Sequence, residues 1–140
     1  MKRIFSCILI VTLLLTCCGN VLAADVEMQS STTLSTYNVK IAPGSSSGSI
    51  TFIFDVTSTR TASLIGISTV KIYKSNGSYV TTVYGTTTNG LMAKNSIRKA
   101  GTYSYSGVSG TSYYAIVTFT ATVNGVTDSK TVTTNTATAP

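Results

Sequence analysis

The fold is decided by residues 110–126, GTSYYAIVTFTATVNGV. Hydrophobic side chains alternate here with threonines, which is the period of a β-strand with one buried and one solvated face. The hydrophobic set is Val117, Phe119, Ala121 and Val123. The pair Asn124-Gly125 follows, and Asn-Gly readily supplies the two positive φ angles of a type I′ hairpin turn. The stretch therefore predicts a strand, a two-residue turn and a returning strand through VTDSKTVTTNT, residues 126–136.

The two-residue turn fixes which residues face each other in this hairpin. Val117 is predicted to lie opposite Val132 on the core side, and the hydroxyl-bearing residues of both strands share the other face. That set is Thr118, Thr120, Thr122, Thr127, Ser129, Thr131 and Thr133. The same register puts Asp128 and Lys130 on the core side, which requires that they lie near the hairpin tip or that a bulge shifts them. We interpret the hydroxyl face as a solvated structural surface, and binding of ice or of a polysaccharide is the alternative.

The rest of the chain repeats the same pattern. About seven short runs, spaced by about 8–12 residues and separated by turn residues, predict an all-β protein, and no segment has the helical period. The strongest run has Ile50, Phe52, Phe54 and Val56 on one face. A bend or bulge at Gly66 is expected to let Leu64 and Val70 both reach the core. The predicted core contains Phe52, Phe54, Val70, Ile72, Val117 and Phe119.

One segment resembles a known family. Residues 103–121, YSYSGVSGTSYYAIVTFTA, are similar to the end of an immunoglobulin-like or fibronectin-like domain, although the chain has no core tryptophan and no cysteine pair in this region. The resemblance implies a single immunoglobulin-like antiparallel β-sandwich of about seven strands, in which the Tyr113 hydroxyl ties back to the preceding loop. The whole chain also resembles small exported proteins of Gram-positive bacteria that form a family of unknown function, and this likeness implies no activity.

The N-terminus indicates export. Lys2 and Arg3 precede an apolar run over residues 4–15, and small residues around Ala23 form a cleavage site, which together predict a secretory signal peptide. Cleavage one residue later, a retained membrane anchor, and lipid attachment at Cys17 or Cys18 are the alternatives. The predicted organisation is a signal peptide over 1–23, a flexible lead-in over 24–35, the sandwich over 36–135 and a disordered tail over 136–140. No stable membrane span is expected after cleavage.

Composition limits the chemistry. Removal of residues 1–23 leaves 117 of the 140 residues, and these contain no cysteine and no histidine. Two of the ten basic residues are removed as well. The remaining eight basic and four acidic residues give a net charge of +4. The absence of cysteine and histidine excludes histidine triads, thiol nucleophiles and zinc–thiolate sites. The basic cluster Lys94, Arg98 and Lys99 is interpreted as a solvated loop, with an anion-binding patch as the alternative, and no nucleic-acid partner is expected.

Motifs of enzymes are few. Asp55 and Asp128 lie on separate predicted strands, with Asp55 facing solvent, so a pair of catalytic carboxylates is not expected. The segments STVK (68–71) and SIRK (96–99) match Ser-x-x-Lys, but that motif works on a helix and Ser68–Lys71 lies on a predicted strand. We therefore predict a protein without catalytic residues, metal or cofactor.

A tyrosine patch is the one candidate ligand site. A two-residue turn at Asn76-Gly77 would pair residues so that Val70, Ile72 and Val83 face the core. The opposite face would carry Lys71, Tyr73, Val80, Thr82 and Tyr84, with Tyr103 and Tyr105 as neighbours. Aromatic side chains can stack on sugars, but cross-strand tyrosine pairs also stabilise sheets by about 0.2–1 kcal/mol, and the structural interpretation is favoured.

The expected function is that of a secreted, non-enzymatic interaction or structural module. Its partner would be an extracellular protein. The alternative is a carbohydrate- or cell-wall-binding module that uses the tyrosine patch on a cell-wall glycan. A third class, a secreted toxin or inhibitor, stays open.

Overall fold

The structure is a computed structural model that describes residues 33–140. The predicted signal peptide with its cleavage at Ala23, the alternative lipid attachment at Cys17 or Cys18, and most of the predicted lead-in lie outside the described residues. The lead-in was expected to extend to residue 35, but the first strand already begins at Leu34.

The described residues form seven antiparallel strands in one curled sheet, which confirms the all-β prediction. They are β1 Leu34–Pro43, β2 Ser49–Lys74, β3 Tyr79–Tyr84, β4 Met92–Ser106, β5 Ser112–Val123, β6 Val126–Thr133 and β7 Ala137–Thr138. Over residues 33–140 no helix of the length and apolarity needed to cross a membrane is present.

Strand β2 organises the sheet because it belongs to both of its halves. Residues 49–58 pair with β1 on one side and with the end of β4 on the other. Residues 64–74 pair with β5, and their other edge takes β3 and the start of β4. The sequence pattern predicts two separate strands in this region, but they form one continuous strand because residues 58–64 contain no glycine or proline to reverse the chain. Instead the register shifts between Thr57 and Ala62, and Ser58 Oγ accepts a hydrogen bond from the Arg60 N–H at the bend.

The two halves of the sheet enclose the hydrophobic core. The predicted core is confirmed, since its six residues all belong to one buried cluster: Phe52, Phe54, Val70, Ile72, Val117 and Phe119. Tyr37 of β1 contacts Phe119 of β5 with ring centroids 5.8 Å apart, which joins the two halves. The prediction that Leu64 reaches the core is wrong, because Leu64 pairs with Thr122 on the outer face of the sheet. The prediction for Val70 is correct, because a bulge between Ile67 and Thr69 turns its side chain toward the core.

The β5–β6 hairpin has the predicted register. Asn124 and Gly125 both have positive φ, at 51° and 79°, as a type I′ turn requires, and Val117 lies opposite Val132. Asp128 and Lys130 do point to the core side without a bulge, and both are half-buried at the edge of the sheet. Inward-pointing charges on an edge strand hinder pairing with another chain.

The turn at Asn76-Gly77 differs from the prediction. Only Gly77 has positive φ, the Lys74 N–H donates to Ser78 O at 2.9 Å, and the loop therefore has three residues. Asn76 Oδ1 accepts a hydrogen bond from the Ser78 N–H at 3.0 Å, which stabilises the longer loop. The extra residue is compensated by a bulge at Val80, so Val70 still lies opposite Val83, whereas Val80 packs against the core instead of joining the outer face.

The C-terminal residues are ordered, which corrects the prediction of a disordered tail over 136–140. Strand β7 pairs with Ser112 and Tyr113 of β5. Ala139 is 1% exposed, and the Gly48 N–H donates to Pro140 O at 2.7 Å. Ala137 and Ala139 are buried while Thr138 is exposed, but alternation over so short a run of small residues is too weak a signal to predict a strand.

Candidate functional site

The structure divides the predicted tyrosine patch in two. Tyr103 and Tyr105 lie on the inner side of β4 and pack against the core, where their rings contact Phe52 and Tyr113 at centroid distances of 6.3 and 6.2 Å. Burial raises the pKa of the Tyr105 phenol. Their inclusion in the patch was therefore wrong, because the inner or outer direction of a β4 side chain depends on a register that the sequence did not specify.

Tyr73 instead has two aromatic neighbours that the sequence analysis did not group with it. It stacks on Tyr114 of β5 with centroids 5.3 Å apart and ring planes 13° apart. On its other side Tyr79 of β3 makes an edge contact at 5.7 Å and 71°. Strand pairing explains the row, since Tyr73 lies opposite both residues. Because rings flank Tyr73 on both sides, a ligand cannot stack on it.

Tyr79 and Tyr84 are the rings that this surface offers to solvent. Tyr79 is 58% exposed and Tyr84 is 70% exposed. Tyr79 is also held in place, because its hydroxyl forms a hydrogen bond with Thr82 Oγ1 at 3.0 Å while its ring contacts Tyr73. An exposed ring that is fixed by two contacts loses little freedom when a ligand binds, which favours affinity.

Lys71 lies between these aromatic residues. It is exposed and opposite Thr82 of β3, one position on the same face from Tyr73 and next to the pair formed by Thr69 and Tyr84. We call this outer surface of β3, β2 and β5 the tyrosine face. It comprises Lys71, Tyr73, Tyr79, Thr82, Tyr84 and Tyr114.

The hydroxyl residues of β5 and β6 continue the same outer surface. Thr118 and Thr131 are joined at 3.3 Å between their Oγ1 atoms, and Thr122 and Thr127 at 2.8 Å. Thr120 accepts from Ser129 Oγ at 3.3 Å, and its own hydroxyl donates to the Asp128 carbonyl. These hydroxyls thus bond to one another across the hairpin, as expected for a solvated structural face.

The residues singled out as structural occupy defined positions. Tyr113 is 1% exposed, and its hydroxyl accepts a hydrogen bond from the Val108 N–H at 2.9 Å in the loop before β5. A side chain at Gly107 would come within 2.7 Å of this hydroxyl, so the glycine makes room for it. The turn residues Asn76 and Gly77 lie in the loop between β2 and β3, next to the pair formed by Tyr73 and Tyr79, and Asn124 and Gly125 form the turn between β5 and β6.

The basic cluster lies on β4 and not in a loop. Arg98 donates to Asp55 with both Nε, at 2.9 Å to Oδ1, and Nη2. This ion pair lies on the outer surface of the half of the sheet formed by β1, β2 and β4. The hydrogen bonds from Arg98 hold the pKa of Asp55 below its ordinary value. Lys99 Nζ lies 6.0 Å from the centroid of the Phe54 ring, and Lys94 is exposed opposite Leu64.

The Ser-x-x-Lys serines hydrogen-bond to the backbone. Ser68 Oγ donates to Thr118 O at 3.1 Å, and Ser96 Oγ donates to Arg98 O at 2.7 Å. Both segments lie on strands. Over residues 33–140 no group of three or more His, Cys, Asp or Glu side chains is close enough to hold a metal ion.

One shallow groove was not foreseen. It has a volume of about 480 Å³ and lies across β1, β2 and β4, where Lys40, Ile53, Asp55 and Thr102 are among the residues that line it. The small residues Ala100 and Gly101 leave the space, and the sequence could have revealed it only if the pairing of β4 with β2 had been known.

Comparison with known proteins adds no relative. No family model matches this chain, and neither does any curated protein or solved structure.

Proposed function

We propose that this protein is a secreted, non-enzymatic interaction module with an immunoglobulin-like β-sandwich fold. The order of strand pairing supports the fold. One half of the sheet runs β1–β2–β4 and the other runs β3–β2–β5–β6, which correspond to strands A–B–E and C′–C–F–G of an immunoglobulin-like domain. In this assignment β2 supplies both B and C as one bent strand. The bond from the Val108 N–H to Tyr113 matches the tyrosine tie of the family.

Export and Gram-positive bacterial origin belong to the same proposal. They rest on the signal-like residues 1–23 and on the resemblance to small exported proteins. A non-enzymatic role is supported by composition, since the chain has no histidine, and by the engagement of the Asp55 carboxylate with Arg98.

The tyrosine face is the observation that carries the interaction role. Tyr79 and Tyr84 expose 58% and 70% of their surface on a sheet face that is otherwise mostly hydroxyl-bearing. Tyrosines are enriched at protein interfaces because they bury a large area and lose little entropy. A surface of this composition fits recognition of an extracellular partner.

A second candidate is binding of a carbohydrate. The fixed orientation of Tyr79 favours carbohydrate binding, because a sugar stacks best on an exposed aromatic face that does not move. The hydrogen bond between the Tyr79 hydroxyl and Thr82 Oγ1 holds the tyrosine ring in this orientation. The neighbouring hydroxyl groups of the β5–β6 hairpin offer further hydrogen-bond partners along the same surface.

The experiment compares binding of the purified protein to Gram-positive cell envelopes before and after protease treatment, together with a glycan array. The test variant is Tyr79→Ser/Tyr84→Ser. The matched control is Ile97→Ser/Val108→Ser, which removes two hydrophobic residues that are 51% and 64% exposed elsewhere.

We expect the tyrosine variant to lose binding and the control to keep it. Binding that protease treatment abolishes identifies a protein partner, and binding that survives and appears on the array identifies a glycan. If the tyrosine variant binds as well as the wild type, the tyrosine face is not the interaction surface and the proposal is wrong.

A further inference from the structure

We propose that the ligand of the tyrosine face is an acidic polysaccharide. This inference rests on the proposed interaction role and names the chemical class of its ligand. It is carried by the distribution of charge over the surface, taken together with the two exposed tyrosines.

The described residues hold eight basic side chains and two acidic ones. Neither carboxylate is on the tyrosine face. Asp55 lies on the outer surface of the other half of the sheet and bonds to Arg98, and Asp128 points to the core side of β6, opposite Ala121. The ammonium group of Lys71 thus has no acidic residue beside it on this surface.

A second lysine extends the positive surface. Lys94 is exposed and lies opposite Leu64, which in turn pairs with Thr122 on the outer side of the sheet. Lys71 and Lys94 therefore share one face and are separated by about 20 Å along β2, at about 3.3 Å for each residue. Two cations at this distance match an extended polyanion better than a single small anion.

The two exposed tyrosines offer surfaces on which sugar rings can stack, and a polymer that carries only charge would not use them. Tyr79 and Tyr84 lie on either side of Lys71 and Thr82 along β3, about 15 Å apart at about 3.3 Å for each residue. Sugar rings of one chain can stack on both tyrosines while a carboxylate between them contacts Lys71 and a hydroxyl contacts Thr82. This spacing distinguishes a glycan from a polymer that carries only charge.

Three probes test the proposal by isothermal titration calorimetry. Polygalacturonate carries sugar rings and carboxylates, its fully methyl-esterified form carries the same sugars without charge, and poly-glutamate carries the charge without sugars. We expect polygalacturonate to bind at least about tenfold more tightly than either of the others, because only it satisfies both the tyrosines and the lysines.

The variants are Lys71→Gln, Lys94→Gln and the double variant, with Lys40→Gln as the matched control on the opposite outer surface. Lys71→Gln and Lys94→Gln should each weaken binding of polygalacturonate several-fold, and the double variant should weaken it further. Each single variant should also reduce the slope of log K against log salt by up to about one, since one fewer counterion is released, and the double variant should reduce it by up to about two. Lys40→Gln should change neither quantity beyond the small effect of net charge.

Each other result overturns the inference. Equal binding of the acidic and esterified polymers means that charge does not select the ligand, although a glycan-binding role survives if the Tyr79→Ser/Tyr84→Ser variant loses it. Equal binding of poly-glutamate means that the tyrosines do not contribute. Absence of binding to all three removes the polysaccharide, while the envelope experiment continues to test the interaction role by itself.

Discussion

The side chain of Asn135 pairs with the backbone of Ile41, 94 residues away in the sequence. Its Oδ1 accepts a hydrogen bond from the Ile41 N–H at 3.0 Å, and its Nδ2 donates to the Ile41 carbonyl at 2.8 Å. Ile41 belongs to β1, whose other edge pairs with β2, so the amide takes the place of a neighbouring strand. It thereby connects the segment after β6 to the first strand and protects the free edge of β1 from pairing with another chain.

Asn135→Ala should therefore lower the free energy of unfolding by about 1–3 kcal/mol, because two partly buried backbone groups lose their partner. Urea denaturation of the variant and the wild type measures the difference. Thr136→Ala is the control, since Thr136 is exposed and its side chain makes no such bridge. A loss no larger than that of the control would contradict the bridging role.

Features that depend on neighbouring residues in the sequence could be predicted, and contacts between distant segments could not. The β5–β6 hairpin and the core were predictable because alternation and the Asn124-Gly125 turn specify the direction of each side chain over a short range. The bridge from Asn135 to Ile41 was not, because an asparagine in a polar stretch carries no sign of a distant strand edge. The stacking of Tyr73 on Tyr114 was missed for a similar reason, since it needed the pairing of β2 with β5.

The bond between Tyr113 and the Val108 N–H predicts the effect of removing one oxygen atom. Tyr113→Phe should lower the free energy of unfolding by about 0.5–1.5 kcal/mol, because the backbone donor loses its acceptor while the ring stays packed. Gly107→Ala should also destabilise, because its new methyl group would collide with the same hydroxyl. In the Tyr113→Phe background only part of this penalty should disappear, because Cζ and Cε2 of the ring would still lie 2.8 and 3.0 Å from the new methyl group, and thermal unfolding of the two single variants and the double variant tests the coupling. Additive effects would contradict it.

The tyrosine face should respond differently at its two kinds of ring. Tyr73→Ser should cost about 1–2 kcal/mol of stability, since it removes contacts with both Tyr79 and Tyr114. Tyr84→Ser should change stability by no more than about 0.5 kcal/mol, because the ring is 70% exposed. A double-mutant cycle on Tyr73 and Tyr114 should give a coupling energy of about 0.5–1.5 kcal/mol. Equal losses for Tyr73→Ser and Tyr84→Ser would mean that the stacked row is not a stabilising unit.

The ion pair of Asp55 and Arg98 predicts a small dependence of stability on acid. The hydrogen bonds from Arg98 hold the pKa of Asp55 below its ordinary value, so the stabilisation is present above the unfolded pKa and is lost as the pH falls through the folded one. Since the Arg98 side chain is 60% exposed and the Asp55 side chain is 41% exposed, solvent screens the pair and its contribution to stability is small. Between about pH 5 and pH 2 the melting temperature of Asp55→Asn should fall less than that of the wild type, and 1 M salt should reduce the difference. A wild-type and variant pair with parallel pH profiles would contradict this assignment.

The C-terminal residues provide the sharpest test of the fold beyond the hairpins. Ala139 is 1% exposed; its N–H donates to Thr111 O at 3.0 Å, and its carbonyl accepts from the Gly110 N–H at 2.9 Å. Ala139→Asp should destabilise by more than about 2 kcal/mol, because a carboxylate would be buried with no cation to pair it. Thr136→Asp adds the same charge at an exposed position and should change stability by no more than about 0.5 kcal/mol. Chemical denaturation distinguishes the two variants. If both variants unfold at the wild-type denaturant concentration, residues 137–140 are not part of the folded sheet. A loss of stability in Ala139→Asp alone shows that the fold needs this segment, which pairs with the first residues of β5.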